Sequence, residues 1–294
     1  MRLLVTGGTG FVGTPLCKLL DAHELLVLSP SAGSHPLPAH ARGVSADLAN
    51  PASWREAVTA FQPEATIHLA WSGLPDYSLA TCTSNYEATL ALYETLRAIE
   101  CRRVVVAGSC WEYGSLTGLV SEASQPDNVG QFAAFKTALR IAGERCFADS
   151  EFVWARFFFV YGAQQRSQSL IPATYRALLA GESPTIKTPD AINDFIHVDD
   201  VARGLEQLAT KVGVRGTFNL GSGQPTAVRT VVNLVAHALG KADVYEPTTS
   251  PGNGCWADVT RVRQAIGWEP QLTLAQGIAR TVQAWQTQSS GGRA

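Results

Sequence analysis

Residues 2–13, RLLVTGGTGFVG, carry the residue types and spacing that can hold a chain of phosphates. Leu3, Leu4 and Val5 make a short apolar run that reads as a buried strand of a parallel sheet, and Thr6 with the following glycines ends it abruptly. From Phe11 the apolar residues recur at helical spacing (Phe11, Leu16, Leu19, Leu20). Gly7, Gly10 and Gly13 therefore fall on a strand-to-helix turn. Three missing side chains there serve a tight bend, close approach of the backbone to a pyrophosphate, and close helix–strand packing. The free N–H groups around Thr9, Gly10, Phe11 and Val12 would face that anion, so the expected ligand is a dinucleotide. A glycine-rich turn alone is a common feature; its place between a strand and an amphipathic helix gives it force.

The elements needed to position such a turn follow in order. Apolar runs at 24–28, 44–48, 65–70, 103–108 and 152–160 read as strands. Helical patterns at 51–61, around Tyr86 to Ile99, and at 131–147 separate the later ones. This alternation predicts an α/β fold, a doubly wound parallel sheet of Rossmann type with right-handed crossovers. Beyond Tyr161 prolines and glycines multiply and the elements shorten. Residues 194–209 read as a strand running into a helix, 217–223 as a strand and turn, and helices are expected near 228–239, 259–266 and 272–285. The expected division is a dinucleotide-binding domain over 1–160 and a smaller, mainly substrate-binding lobe over 161–294, with about 190–220 returning to the sheet.

Composition narrows the function classes. The chain has 294 residues, a formal net charge of −2 and no basic cluster, which argues against nucleic acid as a partner. No apolar run approaches the ~20 residues needed to span a bilayer. The six cysteines are scattered without a CxxC pair or metal spacing, so reduced thiols, no metal site and a cytoplasmic location are expected. A working strand at the start argues against a signal peptide. The small polar tail, 289–294, is expected to fray. The expected partner is a small molecule, and the expected state a monomer or homodimer.

Several motifs, in this order, resemble those of extended short-chain dehydrogenase/reductases, the group similar to NAD-dependent epimerases and dehydratases. They are TGGTGFVG, the HLA of the fourth strand, VYG, DFIHVDDVA, NLGSG and GWEP, and the resemblance covers residues 2–270. It implies a catalytic role for Ser109, which matches the family's serine or threonine four residues before the Tyr113–Gly114 pair, and for Lys136, which matches the lysine of the Tyr-x-x-x-Lys motif. The family's tyrosine is Phe132 here. In ordinary members that phenol gives or takes a proton while hydride moves, and the lysine depresses its pKa and holds the nicotinamide ribose. A phenyl ring can do none of the proton work. The proton is then expected from Ser109 or from a phenol of the substrate itself. The Asp-Glu pair that dehydratases carry after the serine is Cys110 and Trp111, with Glu112 out of register, which counts against dehydration.

The resemblance also orients the two ligands. NAD-preferring relatives place a carboxylate at the end of the second strand, whereas this chain has no acid between Glu24 and Asp47. Ser29, Ser31, Ser34 and His35 could hydrogen-bond a 2′-phosphate, so NADP(H) is expected in preference to NAD(H). Asp47, followed by Leu48, matches the adenine-contacting acid, although it could equally serve a turn. Leu69 and Ala70, at the end of the fourth strand, are expected beside the cofactor. On the substrate side, Phe159 stands where nucleotide-sugar members have a diphosphate-reaching asparagine, Ser169 where many have Asn, and Asn193 where an arginine often precedes Asp-Phe. Trp71, Trp111 and Phe132, with Ser109 and Phe159, would face a cleft for a flat, apolar, aromatic ligand. The implied activity is NADPH-dependent reduction of a ketone on a polycyclic aromatic, polyketide-type metabolite. The alternatives are a nucleotide-sugar 4-epimerase or 4-ketoreductase, and a catalytically silent NADP-binding protein. His68, His197, Asp199 and Asp200 are expected to pack or to cap, and Arg156, Arg166, Arg261 and Arg263 to be surface ions or ligand contacts.

Overall fold

A computed structural model describes residues 1–247 and 252–291. The chain opens with β1 (Arg2–Thr6), α1 (Gly13–Leu19), β2 (Glu24–Ser29), β3 (Ala41–Ser45), α2 (Arg55–Phe61), β4 (Ala65–His68) and α3 (Leu79–Ala98). It continues through β5 (Arg103–Ser109), β6 (Gly118–Val120), α4 (Gln131–Cys146), β7 (Glu151–Phe157), β8 (Phe159–Tyr161) and α5 (Leu170–Leu179). Then come β9 (Ile192–Asn193), β10 (Phe195–His197), α6 (Val198–Thr210), β11 (Gly216–Leu220), β12 (Thr226–Ala227), α7 (Val228–Ala238), β13 (Cys255–Ala257), α8 (Thr260–Ile266) and α9 (Leu274–Gly291).

The main sheet has seven strands in the order β11-β7-β5-β4-β1-β2-β3, and every pair is parallel. Side chains alternate between its faces. Leu3 and Val5 of β1 pack with Leu16 and Cys17 of α1 and Val201, Leu205 and Leu208 of α6. Leu4 points the other way, into a cluster with Val58 of α2, Leu92 and Leu96 of α3 and Leu139 of α4. Central strands are buried on both faces, which is why they read as continuous apolar runs. A third cluster joins α5, α7 and α9 through Ile171, Val231, Val235, Ile278 and Val282. The chain leaves β1 toward β2 and β3 on one side and returns to β4, β5, β7 and β11 on the other. This reversal opens a crevice beyond the carboxyl ends of β1 and β4.

Four sequence expectations need correction. The run 152–160 is two strands: β7 stays in the main sheet, the chain breaks at Phe158, and β8 pairs with β10. Three successive phenylalanines have no alternation, so periodicity could not reveal the break. The strand placed at 44–48 runs earlier, at Ala41–Ser45. Of the stretch 190–220, only β11 enters the main sheet, whereas β9 and β10 pair with β12 and β8. Asp200 does not cap α6; the His197 ring accepts the Asp199 N–H at 3.2 Å instead. The Asp200 carboxylate is buried, accepts the N–H groups of Gln271 (2.8 Å) and Leu272 (3.2 Å), and so pins the GWEP loop. In the tail, α9 runs to Gly291, and 292–294 lie outside the described residues.

Candidate active site

The crevice holds a cavity of about 630 Å³ that runs from the glycine turn to the mouth of the aromatic cleft. At the first end, β1 delivers the chain into the turn and Gly7 adopts φ +71°, a backbone region that side chains disfavour. A Cβ on Gly13 would lie 2.2 Å from the Gly7 carbonyl oxygen, so the turn closes this tightly only with glycine there. The N–H groups of Phe11 and Val12 donate to no described residue, while both residues line the cavity. Unpaired donors around an open cradle fit the phosphates of a dinucleotide.

Of the residues expected to contact the cofactor, Gly7, Thr9, Gly10, Phe11, Val12, Ser29, Leu69, Ala70 and Lys136 line this cavity. Ser31 lies outside the lining but its hydroxyl is 2.8 Å from that of Thr9, which in turn is 2.5 Å from that of Ser29. Asp47 and Leu48 line an adjoining cavity of about 350 Å³ that shares Gly7, Ser29 and Ala70. Asp47 also accepts the Ala49 N–H at 3.0 Å, so it does serve a turn.

At the other end, Trp71, Ser109, Trp111, Phe132 and Phe159 line the same space. Phe132 sits edge-on to Trp71, Tyr77 and Trp111, with ring centres 5.0, 5.1 and 5.7 Å away. Tyr77, on the loop before α3, was not singled out by the sequence, because no local motif marks it. Trp111 is 45% exposed and stands at the rim. A second cavity of about 570 Å³ continues beyond Tyr77, Trp111 and Phe132 to Asn128, Asn193 and Asn253.

The polar groups at this end are few. Ser109 is the last residue of β5; its Oγ accepts the Trp111 N–H at 3.2 Å and so begins a short helical turn. Lys136, one turn into α4, donates from Nζ to the Ala107 carbonyl at 2.9 Å. Burial pushes its pKa down to about 8, against the opposing charge of Glu112. Its ammonium uses one of three donors in that bond, which leaves others for a ribose.

Other tempting residues are structural. His68 lies between the hydroxyls of Thr6 (2.6 Å) and Thr89 (3.1 Å), and burial pushes its pKa down to about 3, so it is neutral. Glu112 is fully buried and accepts from the Ser109 N–H, the Trp154 indole and Arg156 at 2.8–3.0 Å. Arg156 is thus a buried ion-pair partner rather than a surface ion or ligand contact. Arg263 pairs with Glu269 at the surface, Arg261 lies over Phe218, and Arg166 lines the cavity.

The family profile of the NAD dependent epimerase/dehydratase family matches residues 3–221. The chain belongs to this family. It is 29% identical over 317 residues to a UDP-glucose 4-epimerase of Mycolicibacterium smegmatis, covering 98% of this chain and 100% of that protein. It is also 29% identical to the 2'-dehydrokanamycin reductase of Streptomyces kanamyceticus, across 87% of this chain and 71% of that one. Among solved structures, the UDP-glucose 4-epimerase of Thermotoga maritima with UDP-glucose superposes with a TM-score of 0.86 at 21% identity, covering 98% and 100% of the two chains. Members of this family are NAD(P)-dependent oxidoreductases or epimerases of the extended short-chain kind, and the fold and motifs of this chain agree with that assignment. Among the described residues, no helix is long and apolar enough to cross a membrane.

Proposed function

We propose that this family member is an NADPH-dependent ketoreductase acting on a flat, polycyclic aromatic ketone of the kind found in polyketide-type secondary metabolites. The observation that carries the reading is the wall of Trp71, Tyr77, Trp111 and Phe132 closing on the Lys136 end of the cofactor-sized cavity. Edge-to-face rings form a slot whose walls favour a π-faced ligand over a sugar. The likeness to 2'-dehydrokanamycin reductase supports the reductive direction. When bound, the dinucleotide supplies the hydride. The glycine turn would hold its phosphates, and Lys136 its nicotinamide ribose. The hydroxyls of Thr9, Ser29 and Ser31 would receive a 2′-phosphate, which no carboxylate on that loop repels.

The test is incubation of the purified protein with NADPH and two panels, polycyclic aromatic ketones and nucleotide-linked 4-keto sugars. The expected result is NADPH consumption matched by one alcohol per cofactor, from the first panel only. Turnover of the sugar panel alone would make the protein a nucleotide-sugar 4-ketoreductase. Interconversion of nucleotide-sugar epimers without net cofactor consumption would make it an epimerase, and cofactor binding without turnover a silent protein.

A further inference from the structure

Ketone reduction requires an acid at the oxygen, and Phe132 has removed the one the family provides. Within the main cavity no carboxylate or imidazole lines the wall among the described residues. The ionisable lining side chains are Tyr77, Cys110, Lys136 and Arg166. Burial holds the Cys110 thiol well above its usual range, Lys136 is given to the nicotinamide ribose in the reading above, and a guanidinium does not release its proton at neutral pH. Tyr77 remains. Its ring centre is 5.1 Å from that of Phe132, it is half-buried, and its hydroxyl bonds to no described residue. It also lines both cavities, so the ring stands between the reacting end and the outer slot.

From this juxtaposition of a free phenol with the ring that replaces the family's tyrosine, we infer that Tyr77 is the catalytic acid, supplied from the loop before α3 rather than from α4. The inference rests on the ketoreductase reading above. As hydride adds to the carbonyl carbon, the C–O π pair moves to oxygen, the Tyr77 O–H bond breaks and its proton goes to that oxygen. The phenolate left behind takes a proton from water. A phenol, with an ordinary pKa of ~10, is a far better donor than the Ser109 hydroxyl, and a phenol on the substrate is then unnecessary.

The test compares wild type, Tyr77→Phe, Ser109→Ala and the double variant Tyr77→Phe/Phe132→Tyr, all with NADPH and whichever aromatic ketone the wild type reduces. Tyr77→Phe is expected to lower kcat by about 10²–10⁴-fold while leaving NADPH affinity by calorimetry within twofold. The double variant should recover at least tenfold of that loss, because the phenol returns on the neighbouring ring. Tyr77→Phe turning over within twofold of wild type, with an unchanged pH profile, overturns the assignment. So does a loss confined to Ser109→Ala, or to a substrate whose own phenol is methylated. If the wild type reduces no aromatic ketone, the ketoreductase reading itself fails, and the assignment of Tyr77 with it.

Discussion

The Lys136 ammonium lies 4.3 Å from the centre of the Trp71 ring, while the indole nitrogen of that same Trp71 is buried with no hydrogen-bond partner. Trp71 thus gives its electron-rich face to the cation, a contact that strengthens when water is excluded. Phe132 adds a second aromatic ring beside the same ammonium, its centre 5.8 Å away. In this site the lysine has no phenol at position 132 to activate, so its charge is free for the cofactor.

Cofactor affinity should therefore depend on pH through Lys136. Burial lowers its pKa to about 8 from 10.5, so protonation is disfavoured in the folded protein relative to the unfolded chain. Between those values the unfolded chain binds more protons, and stability of the cofactor-free protein should rise with pH across that window and be lowest below it. Binding should run the opposite way. A ribose acceptor favours the ammonium, so NADPH affinity should fall as pH passes upward through about 8. Calorimetric titrations at several pH values, with Lys136→Met as control, check this; the variant should bind weakly and show neither trend.

Cofactor preference should follow the hydroxyl cluster. NADPH should bind more tightly than NADH, and Ser31→Asp should reverse the order by placing a carboxylate against the 2′-phosphate. Ser31 is the better position for this test because it is exposed, whereas Ser29 is buried and a carboxylate there would disturb the fold. The expected penalty is about 1–3 kcal/mol, or roughly 5- to 150-fold in Kd, read by paired titrations with the two cofactors.

The glycine turn and the alternation of strands and helices that makes a parallel, doubly wound sheet were legible because each rests on local chemistry. Gly7, Gly10 and Gly13 declare a turn by what they lack, and β1, β4 and β5 declare burial by their apolar runs. Trp111 and Phe132 were legible as cleft residues through their neighbours in the motif. Tyr77 was not, since nothing local distinguishes it from any loop tyrosine; only the path of the chain from β4 into α3 brings it to Phe132. The roles of Asp200 and Glu112 were hidden for the same reason. Asp200 meets Gln271 across 71 positions and Glu112 meets Arg156 across 44, and no pattern in one sequence encodes such a meeting.

The turn should tolerate a methyl group unevenly. A Cβ on Gly10 would stand 3.1 Å from the Gly7 carbonyl oxygen, a contact that a small shift relieves. On Gly13 it would stand 2.2 Å from that oxygen and 2.5 Å from the Gly8 Cα, both backbone atoms that cannot rotate away. Gly13→Ala should therefore abolish NADPH binding and lower the melting temperature. Gly10→Ala should fold normally and lose only part of its affinity. Melting curves with and without NADPH separate the two.

The buried pair of Glu112 and Arg156 should dominate stability near the site. The Arg156 nitrogen is 3.0 Å from the carboxylate, with side chains 6% and 0% exposed. The same carboxylate accepts the Ser109 N–H at 2.8 Å and the Trp154 indole at 2.9 and 3.0 Å. Glu112→Gln keeps a carbonyl oxygen for those two donors but removes the charge opposite Arg156. An uncompensated buried guanidinium should then cost about 3–5 kcal/mol, measured as a lower denaturant midpoint at unchanged slope. Adding Arg156→Met should restore a large part of that loss, because it removes the stranded charge. Activity distinguishes this structural role from a chemical one. Glu112 does not line the cavity, so the double variant should regain turnover together with stability. A double variant as stable as wild type but inactive would mean that Glu112 takes part in the chemistry, as the acids of the dehydratases do.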